Sequence, residues 1–386
     1  MQRKGNVISR ESQASNLVTV GVDMGGALWA TTIRDWASGH ASYFGLRDKA
    51  GKSKESVLYE KIAEHINTGH RVRVFYEAGR YGYTPARIMQ SLGAEVSILP
   101  INKLKVLMCG KVIKTDKLDA KFLGGLHPDD QLPEVYIPTL AEEGRRDAER
   151  ELGRLRNSIG RVNAQLLAII ERTGLKTPAG HCSSDSWRRQ IIKWDSSGEM
   201  QKLPNFIVLR LKNMVEELTL AEKHLKDWQA IIDQQMKRER EEARKNNCQT
   251  TIDKLEKYKG IGDAIARHFF WEIGDFGRFK NGKRFASYFG LTPCPFASGT
   301  MKREQGISKC GRRTLRRMAI EMAWLWRRWQ PDSHLTKKWE PMLKQKGRAR
   351  KTAIVALARQ LLVALWRHVM YNEPIEGAII NKPLEV

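Results

Sequence analysis

The feature that most constrains this chain is an alternation of strand-like and helix-like segments between residues 17 and 100. Two segments, 54–67 and 84–93, have the apolar spacing of helices. Around them lie five segments with the composition and turn signals of strands: LVTVGVD (17–23), the second half of MGGALWATTIRDW (24–36), HASYFGL (40–46), RVRVFYEAG (71–79) and AEVSILP (94–100). Strands that alternate with helices predict a mixed α/β sheet in a domain covering 17–135.

After residue 139 the pattern becomes helical. Residues 139–250 are predicted to form a helical or coiled-coil linker domain, in which 206–246 has near-heptad spacing. That spacing fits a partner chain and a bundle within one chain equally well. Residues 255–371 are predicted to form a mainly α-helical C-terminal domain, which opens with a helix-hairpin-helix-like GIG turn. The first sixteen residues are expected to be disordered, and 372–386 to form a tail.

Charge indicates the class of partner. The chain carries 67 Lys and Arg against 43 Asp and Glu, a net charge of +24. Residues 301–351 hold sixteen of the basic residues and four of the acidic ones, which concentrates half of the surplus in one stretch. A field of this size attracts polyanions, so nucleic acid is the predicted partner. The alternative is a basic protein with no such partner.

The distribution of cysteines and of apolar residues indicates the cellular compartment. The five cysteines are scattered without a C-x-x-C pair, which supports neither a disulfide framework nor a zinc site. No apolar run is expected to reach the roughly 18 residues of a membrane span, and the polar start lacks a signal-peptide core. The predicted location is the reducing bacterial cytoplasm, at the nucleoid, with no membrane partner.

Two aspartates in KVIKTDKLDAK (111–121) form the first candidate site. Asp116 and Asp119 are three residues apart, which on a helix places their Cβ atoms about 5–6 Å from each other. Such a pair is repulsive unless a cation offsets it. The neighbouring lysines offer an ordinary surface ion-pair network, and a divalent metal ion offers the other explanation.

Two more acidic residues favour the metal-ion explanation over the surface ion pairs. Asp23 ends the first predicted strand and Glu77 ends FYE, and strand ends are where ligand groups converge in α/β sheets. Four carboxylates in this order have the layout of RNase H-like nucleases, which hold two divalent ions. Because the ligands are all oxygens, Mg²⁺ or Mn²⁺ is favoured over zinc.

These residues lie within longer motifs that resemble a known family. GVDMG, FYEAGRYGY and KTDKLDAKFL, followed by LPEVYIP, resemble the Asp-Glu-Asp-Asp signature of insertion-sequence transposases with a RuvC-like domain. This family is also known as bridge-RNA-guided serine recombinases and is related to Piv-type invertases. The stretch from LEKYKGIGDAIARHFF to PCPFASG, and then ISKCGRRTLRRM, resembles the family's second conserved domain. The likeness covers most of residues 17–325.

The resemblance implies a fold, an activity and a set of residues. The fold would be an RNase H-like (RuvC-like) α/β domain followed by helical and C-terminal transposase domains. Asp23, Glu77, Asp116 and Asp119 would hold Mg²⁺. Ser298, in PFASGT, would attack DNA to give a covalent phosphoserine intermediate, with Ser308 as the rival nucleophile. Phe296 and Ala297 depart from the residues often found before that serine.

The resemblance also implies partners. Donor and target DNA would be the substrates, and a structured RNA made by the element would guide the choice of site. The protein would act as a homo-oligomer, a dimer or a tetramer. Basic residues just after the serine loop suit contacts to phosphates: Arg312, Arg313, Arg316 and Arg317.

Two other functions remain open from the sequence. One is a Mg²⁺-dependent RuvC-like nuclease that cuts branched DNA without a covalent intermediate. The other is a non-catalytic nucleic-acid-binding scaffold, which the complete set of four acids disfavours. The three tryptophans of MAWLWRRW, at 324, 326 and 329, are expected to pack in the core or against other helices rather than to stack on bases.

Overall fold

The computed structural model describes residues 16–49, 51–100, 115–127, 132–177, 180, 184–196, 198, 203–298 and 301–381. The chain divides into two compact units, Met1–Thr139 and Leu140–Val386. The stretch predicted to be disordered at the N-terminus lies almost wholly outside the described residues. The boundary predicted between a helical linker and a C-terminal domain falls inside the second unit and stays a prediction.

The first unit is built on a five-stranded mixed sheet, and it confirms the predicted α/β alternation. The strands are β1 (Leu17–Met24), β2 (Trp29–Asp35), β3 (Ala41–Leu46), β4 (Arg71–Glu77) and β5 (Glu95–Leu99), in the order β3-β2-β1-β4-β5. β1, β2 and β3 form an antiparallel meander, and β1, β4 and β5 are parallel. Each predicted strand is present within one or two residues of its expected ends.

The two faces of this sheet differ. Helices α1 (Lys54–Asn67) and α2 (Thr84–Ser91) cover one face, where Leu58, Ile62 and Met89 pack on the valines of β1 and β4. Helix α3 (Asp116–Gly124) covers the other face. This is the helix predicted from the KTDKLDAKFL motif, and Thr115 caps it by accepting a hydrogen bond from the Leu118 amide.

The second unit begins with a long helical hairpin. Helix α4 (Leu140–Thr173) packs against α6 (Asn205–Lys245), and the shorter α5 (Asp185–Ser196) lies between them in sequence. The far part of the hairpin has its own apolar cluster, which includes Val162, Trp187 and Leu218. The near part packs instead on the C-terminal helices, since Leu152 and Ile232 belong to their core.

The remaining helices form the core of the second unit. They are α7 (Thr251–Glu256), α8 (Asp263–Ile273), α9 (Gly282–Tyr288), α10 (Arg313–Trp329), α11 (His334–Leu343) and α12 (Arg348–Tyr371). The GIG turn lies between α7 and α8, as predicted, with Gly260 at φ 96° and Gly262 as the N-cap of α8. Trp326 is fully buried, whereas Trp329 is partly exposed beside Gly260.

Helix α12 is the exception to the expectation that no segment resembles a membrane span. By length and composition it is apolar enough to cross a membrane, and 56% of its most apolar window is buried within the fold. Leu357, Leu361 and Leu365 lie in the core of the second unit. The apolar character of α12 is therefore explained by core packing.

A β-hairpin was missing from the sequence prediction. Residues 290–311 were predicted only as a segment rich in glycine and polar residues, but the structure contains β6 (Pro293–Ser298) paired antiparallel with β7 (Met301–Ile307). The register shifts between Pro293 and Pro295. Two prolines in six residues normally argue against a strand, which is why the pattern was not recognised.

Candidate functional site: an acidic sheet edge and a serine hairpin

Asp23 and Glu77 end two neighbouring parallel strands. Val22 pairs with Tyr76 in the β1–β4 register, so each acid is the next residue along its strand. Neighbouring strands lie about 4.8 Å apart, which brings the two backbones close at this edge. Both residues are half-buried. The register therefore places both acids at the same edge of the sheet.

Both acids also belong to the face that α3 covers. Side chains alternate along a strand, so Asp23 shares a face with Gly21, and Glu77 shares one with Phe75. A Cβ atom on Gly21 would lie 2.1 Å from the Gly124 nitrogen of α3. Phe75 packs on Leu123 of the same helix. The alternation thus directs both carboxylates to the α3 side of the sheet.

The direction of α3 places its two aspartates at the same end. The Thr19 hydroxyl, early in β1, donates a 2.6 Å hydrogen bond to the Gly124 carbonyl at the end of α3. Ala120, one turn earlier in α3, lies against Gly21, two residues further along β1. The helix therefore runs opposite to β1, and its first turn, with Asp116 and Asp119, points toward the end of the strand where Asp23 lies.

The four carboxylates share this end of the layer without forming a closed ligand cluster. Asp116 is exposed and Asp119 is half-buried. Within the described part of the chain, no three His, Cys, Asp or Glu side chains are grouped closely enough to hold a metal ion. The donor atoms are all carboxylate oxygens, and in chemistry they suit a hard cation such as Mg²⁺.

Three residues that the sequence prediction did not assign hold the loop after Asp23. The Tyr81 hydroxyl donates a 2.7 Å hydrogen bond to the Gly25 carbonyl, and the Lys54 ammonium donates one of 3.0 Å to the Gly26 carbonyl. Arg80 lies so close to Gly26 that a Cβ there would be 2.8 Å from its guanidinium. Arg80 and Tyr81 belong to the FYEAGRYGY motif, which was the available signal; nothing in the sequence marked Lys54.

Ser298 is the last residue of β6, at the closed end of the hairpin. Its backbone pairs with Met301. The side chains of residues 295–305 lie outside the described part of the structure, so Ser298 is located by its strand alone. The connecting residues 299–300 are also outside it.

Ser308 lies in a different setting, at the open end of the hairpin. It is half-buried, and its amide donates a 2.8 Å hydrogen bond to the Thr292 carbonyl. The loop around it is tightly packed: Gly290, at φ 69°, leaves room for the Cys310 backbone, where a Cβ would lie 2.0 Å from the Cys310 oxygen. Ser308 is thus part of a braced loop that precedes α10.

The four predicted phosphate-binding arginines have different surroundings. Arg312 forms an ion pair with buried Glu272, and desolvation lowers the pKa of its guanidinium from the ordinary value, as do Arg150 and Arg146. Arg316 donates a 3.0 Å hydrogen bond to the Lys309 carbonyl, which braces the loop that contains Ser308. Arg317 is exposed beside Glu321, and Arg313 is exposed. Arg312, Arg313 and Arg317 are therefore all exposed to solvent, and of these three Arg312 is paired with a buried acid.

His268, one of the nearest histidines to the serine in sequence, is part of a buried ion network. Its Nδ1 lies 2.9 Å from Glu149, and Arg267 donates a 2.6 Å hydrogen bond to the same carboxylate. Glu149 and Arg267 are almost completely buried. This arrangement agrees with a structural role for His268.

Comparison with known proteins identifies the family. Residues 252–338, which contain the serine hairpin, match the model of the transposase IS116/IS110/IS902 family. A Sinorhizobium fredii protein named "Putative transposase y4rJ" is 31% identical over 320 residues, which cover 80% of each chain. A second protein of that organism, y4qE, is 24% identical over 314 residues, 75% of this chain and 73% of its own.

A third relative is named for a different kind of DNA rearrangement, the inversion of a gene. The pilin gene-inverting protein of Moraxella bovis is 30% identical over 123 residues, 31% of this chain and 37% of its own. Transposition and gene inversion both require DNA strands to be cut and rejoined. The chain belongs to the IS116/IS110/IS902 family of transposases, which are DNA-recombining enzymes.

Proposed function

We propose that this transposase cuts and rejoins DNA through a phosphoserine intermediate on Ser298, assisted by a divalent metal ion on Asp23, Glu77, Asp116 and Asp119. The first unit is, in this proposal, an RNase H-like (RuvC-like) domain. The enzyme acts on donor and target DNA in the bacterial cytoplasm, as a homo-oligomer, and a structured RNA guides its choice of sites.

One observation carries the metal proposal. Asp23 and Glu77 end adjacent parallel strands on the face covered by α3, and the first turn of α3 brings Asp116 and Asp119 to the same end. Carboxylates directed to one end of the layer repel one another, and a bound divalent cation would offset that repulsion. Bound there, Mg²⁺ would neutralise charge on the scissile phosphate.

The chemistry of the serine conserves the phosphodiester. The Ser298 oxygen attacks phosphorus and loses its proton, the bond to one deoxyribose oxygen breaks, and that oxygen takes up a proton. Rejoining is the reverse: a deoxyribose hydroxyl of the exchanged strand attacks the phosphoserine and releases the serine. No external energy source is consumed. The position of Ser298 at the end of β6 and its PFASGT motif support this choice over Ser308, whose loop is packed against Gly290 and Thr292.

Guidance by RNA is supported by the family motifs. The net charge of +24 favours a polyanion as partner but does not distinguish RNA from DNA. Co-purification of a defined transcript of the element, and loss of recombination when that transcript is deleted, would establish it. Recombination by protein and DNA alone would contradict it.

The serine is tested by trapping the covalent intermediate. Full-length protein, candidate RNA, Mg²⁺ and a nicked suicide DNA substrate are mixed, and protein–DNA adducts are separated under denaturing conditions. Wild type and Ser308→Ala should form the adduct, whereas Ser298→Ala should not. An adduct that survives Ser298→Ala but disappears with Ser308→Ala would reverse the assignment. DNA cleavage with no adduct in any protein would favour the RuvC-like nuclease.

The carboxylates are tested by changing the softness of one ligand. Asp119→Asn should lower strand cleavage by about a thousandfold or more while DNA binding changes little. Asp119→Cys should be inactive with Mg²⁺ and partly active with Mn²⁺, because thiolate ligands suit softer cations. Glu60→Gln, on the opposite face of the sheet and paired with Lys52, is the matched control and should retain activity. Full activity of Asp119→Asn would exclude a role for this residue in the metal site.

A further inference from the structure

A long groove in the second unit has no role in the reaction described so far. It encloses about 950 Å³ between α11, α12 and the open end of the β6–β7 hairpin. One stripe of α12, from Thr352 to Arg367, forms its floor. At 1.5 Å per residue this stripe is about 22 Å long. The groove is therefore large enough for an extended chain segment.

The floor of the groove is apolar and only partly covered. Val355, Val363 and Ala364 are half-buried there and pack on the core below. Trp339 of α11 forms part of the wall, and its indole N–H donates a 3.0 Å hydrogen bond to Gln360. The tryptophan is thus held in place beside the groove rather than free to rotate.

The rim of the groove is basic. Lys283, Lys338, Arg359 and Arg367 all line it, and among the side chains that the structure describes Glu373 is the one acidic residue in its lining. Glu373 lies 3.9 Å from Arg367, so three of the lining cations have no described acid in the groove itself. An apolar floor between cations complements a ligand with flat apolar groups and a charged backbone.

We propose that this groove holds an unpaired segment of the DNA strand during recombination. Single-stranded nucleic acid is bound by positive grooves that follow the backbone, with aromatic side chains on which bases stack. In this groove the bases contact the apolar stripe of α12 and Trp339, and the phosphates contact Lys338 and Arg359. Cutting and rejoining of duplexes separates strands, so the reaction itself supplies such a segment.

The position of the groove connects it to the proposed chemistry. Pro293, Cys294 and Ile307, at the open end of the hairpin, form one of its walls. From Cys294 to Ser298, β6 advances by about 13 Å. A strand held in the groove would therefore lie a few nucleotides from the end of the hairpin. This last relation rests on the proposed role of Ser298; binding in the groove does not.

The test compares DNA binding by matched double variants of the full-length protein. All carry Ser298→Ala and are assayed without divalent metal, so that failure of the proposed chemistry cannot affect the result. Lys338→Gln with Arg359→Gln should weaken binding of a duplex with a six-nucleotide single-stranded extension about tenfold, and blunt duplex binding less than twofold. Losing two contacts should reduce the salt slope for the extension by about 1.4.

The control removes the same amount of charge from a part of α12 outside the groove. Arg348→Gln with Lys351→Gln should leave the preference for the extension unchanged, since neither residue lines the groove. A 2-aminopurine in the extension should be quenched on binding, and Trp339→Leu should relieve the quenching. Circular dichroism confirms that each variant is folded.

Three results would overturn the proposal. If the groove and control variants weaken extension and blunt duplex equally, the groove contributes only general charge. If single-stranded RNA loses more affinity than DNA in the groove variant, the occupant is RNA. If no oligonucleotide is affected but an acidic amphipathic peptide loses binding, the groove is a protein-docking site.

Discussion

The two units use carboxylates in opposite ways. In the first, Asp23, Glu77, Asp116 and Asp119 lie exposed or half-buried at one end of the sheet. In the second, Glu149 and Glu272 are nearly completely buried, and each is matched by arginines. A buried acid needs a fixed cation at its side to offset the loss of hydration. Acids at a sheet edge that are exposed or half-buried are in contact with solvent, from which a metal ion can bind and exchange.

The buried acids of the second unit should contribute more to the free energy of unfolding than the acids at the sheet edge do. Glu149→Gln leaves the Arg267 guanidinium, of which 2% is exposed, without its buried counter-charge. Breaking a buried pair in this way costs about 3–5 kcal/mol. Urea unfolding followed by tryptophan fluorescence reports on this unit, because nine of the eleven tryptophans lie after residue 140.

The same helix offers a matched control for that prediction. Glu151 is two residues away and pairs with the exposed Arg154 on the surface. Glu151→Gln should cost less than about 1 kcal/mol, as exposed pairs do. Equal effects of Glu149→Gln and Glu151→Gln would remove the distinction between buried and exposed acids on which the comparison depends.

The positions of the edge acids Asp116 and Asp119 depend on close backbone packing between β1 and α3. Gly21→Ala would place a Cβ 2.1 Å from the Gly124 nitrogen and 2.5 Å from the Ala120 oxygen. Backbone atoms cannot rotate away, so α3 must shift and carry Asp116 and Asp119 with it. We expect a loss of about 1–3 kcal/mol in stability, together with lower DNA cleavage.

Hydrogen–deuterium exchange of β1 and α3 would measure the effect of Gly21→Ala locally. Gly144→Ala is the control, because a Cβ there meets no atom within 4 Å and alanine favours a helix by about 0.5–1 kcal/mol. Unchanged exchange in α3 after Gly21→Ala would show that the helix is not held by this contact.

Sequence patterns predicted the acidic edge of the sheet better than they predicted the β6–β7 hairpin. β1 and β4 were recognisable because the periodicity of a strand is a local signal, and the first turn of α3 was inferred from the spacing of Asp116 and Asp119. β6 was missed, since Pro293 and Pro295 obscure its strand pattern. The family motifs marked Ser298, but no periodicity indicated that it ends a strand.

Pairings between distant residues were also beyond prediction. Gly21 fits Gly124, and Glu149 fits Arg267 across 118 residues of chain. Either glycine, taken alone, has the appearance of a turn residue, and either charge has the appearance of a surface residue. Only the folded arrangement shows that the first pair sets the position of α3 and that the second anchors α4 to α8.

The smallest predicted effect is on the pH dependence of stability. Carboxylates of the second unit differ here, because the pKa of one is raised and that of another is lowered. Three of them, Asp253, Glu256 and Asp263, surround the single guanidinium of Arg240. Desolvation raises the pKa of Glu256 to about 7, with Asp263 and Asp253 adding to the effect, although Arg240 acts in the opposite direction. Burial and the two neighbouring carboxylates therefore outweigh the attraction of Arg240 for the Glu256 carboxylate.

Glu149 shows the opposite shift. Burial acts to raise its pKa, but hydrogen bonds from His268 and Arg267 and the charge of Arg267 outweigh burial and hold the pKa below its ordinary value. Its stabilising contribution is therefore present above the unfolded pKa of about 4.3 and is lost as the pH falls below it.

For Glu256 the sign reverses, because the folded state binds the proton more tightly than the unfolded state. Its contribution is present below about pH 4.3 and is lost as the pH rises toward 7. Glu256→Gln should remove this decline and raise stability at pH 8 by about 1 kcal/mol, whereas Glu149→Gln should flatten the acid side of the same profile. Urea unfolding between about pH 3 and pH 8 would measure both. If Glu256→Gln lowers stability at pH 8, its ion pair with Arg240 outweighs desolvation, and Glu256 belongs with Glu149 among the buried acids that are fully matched by cations.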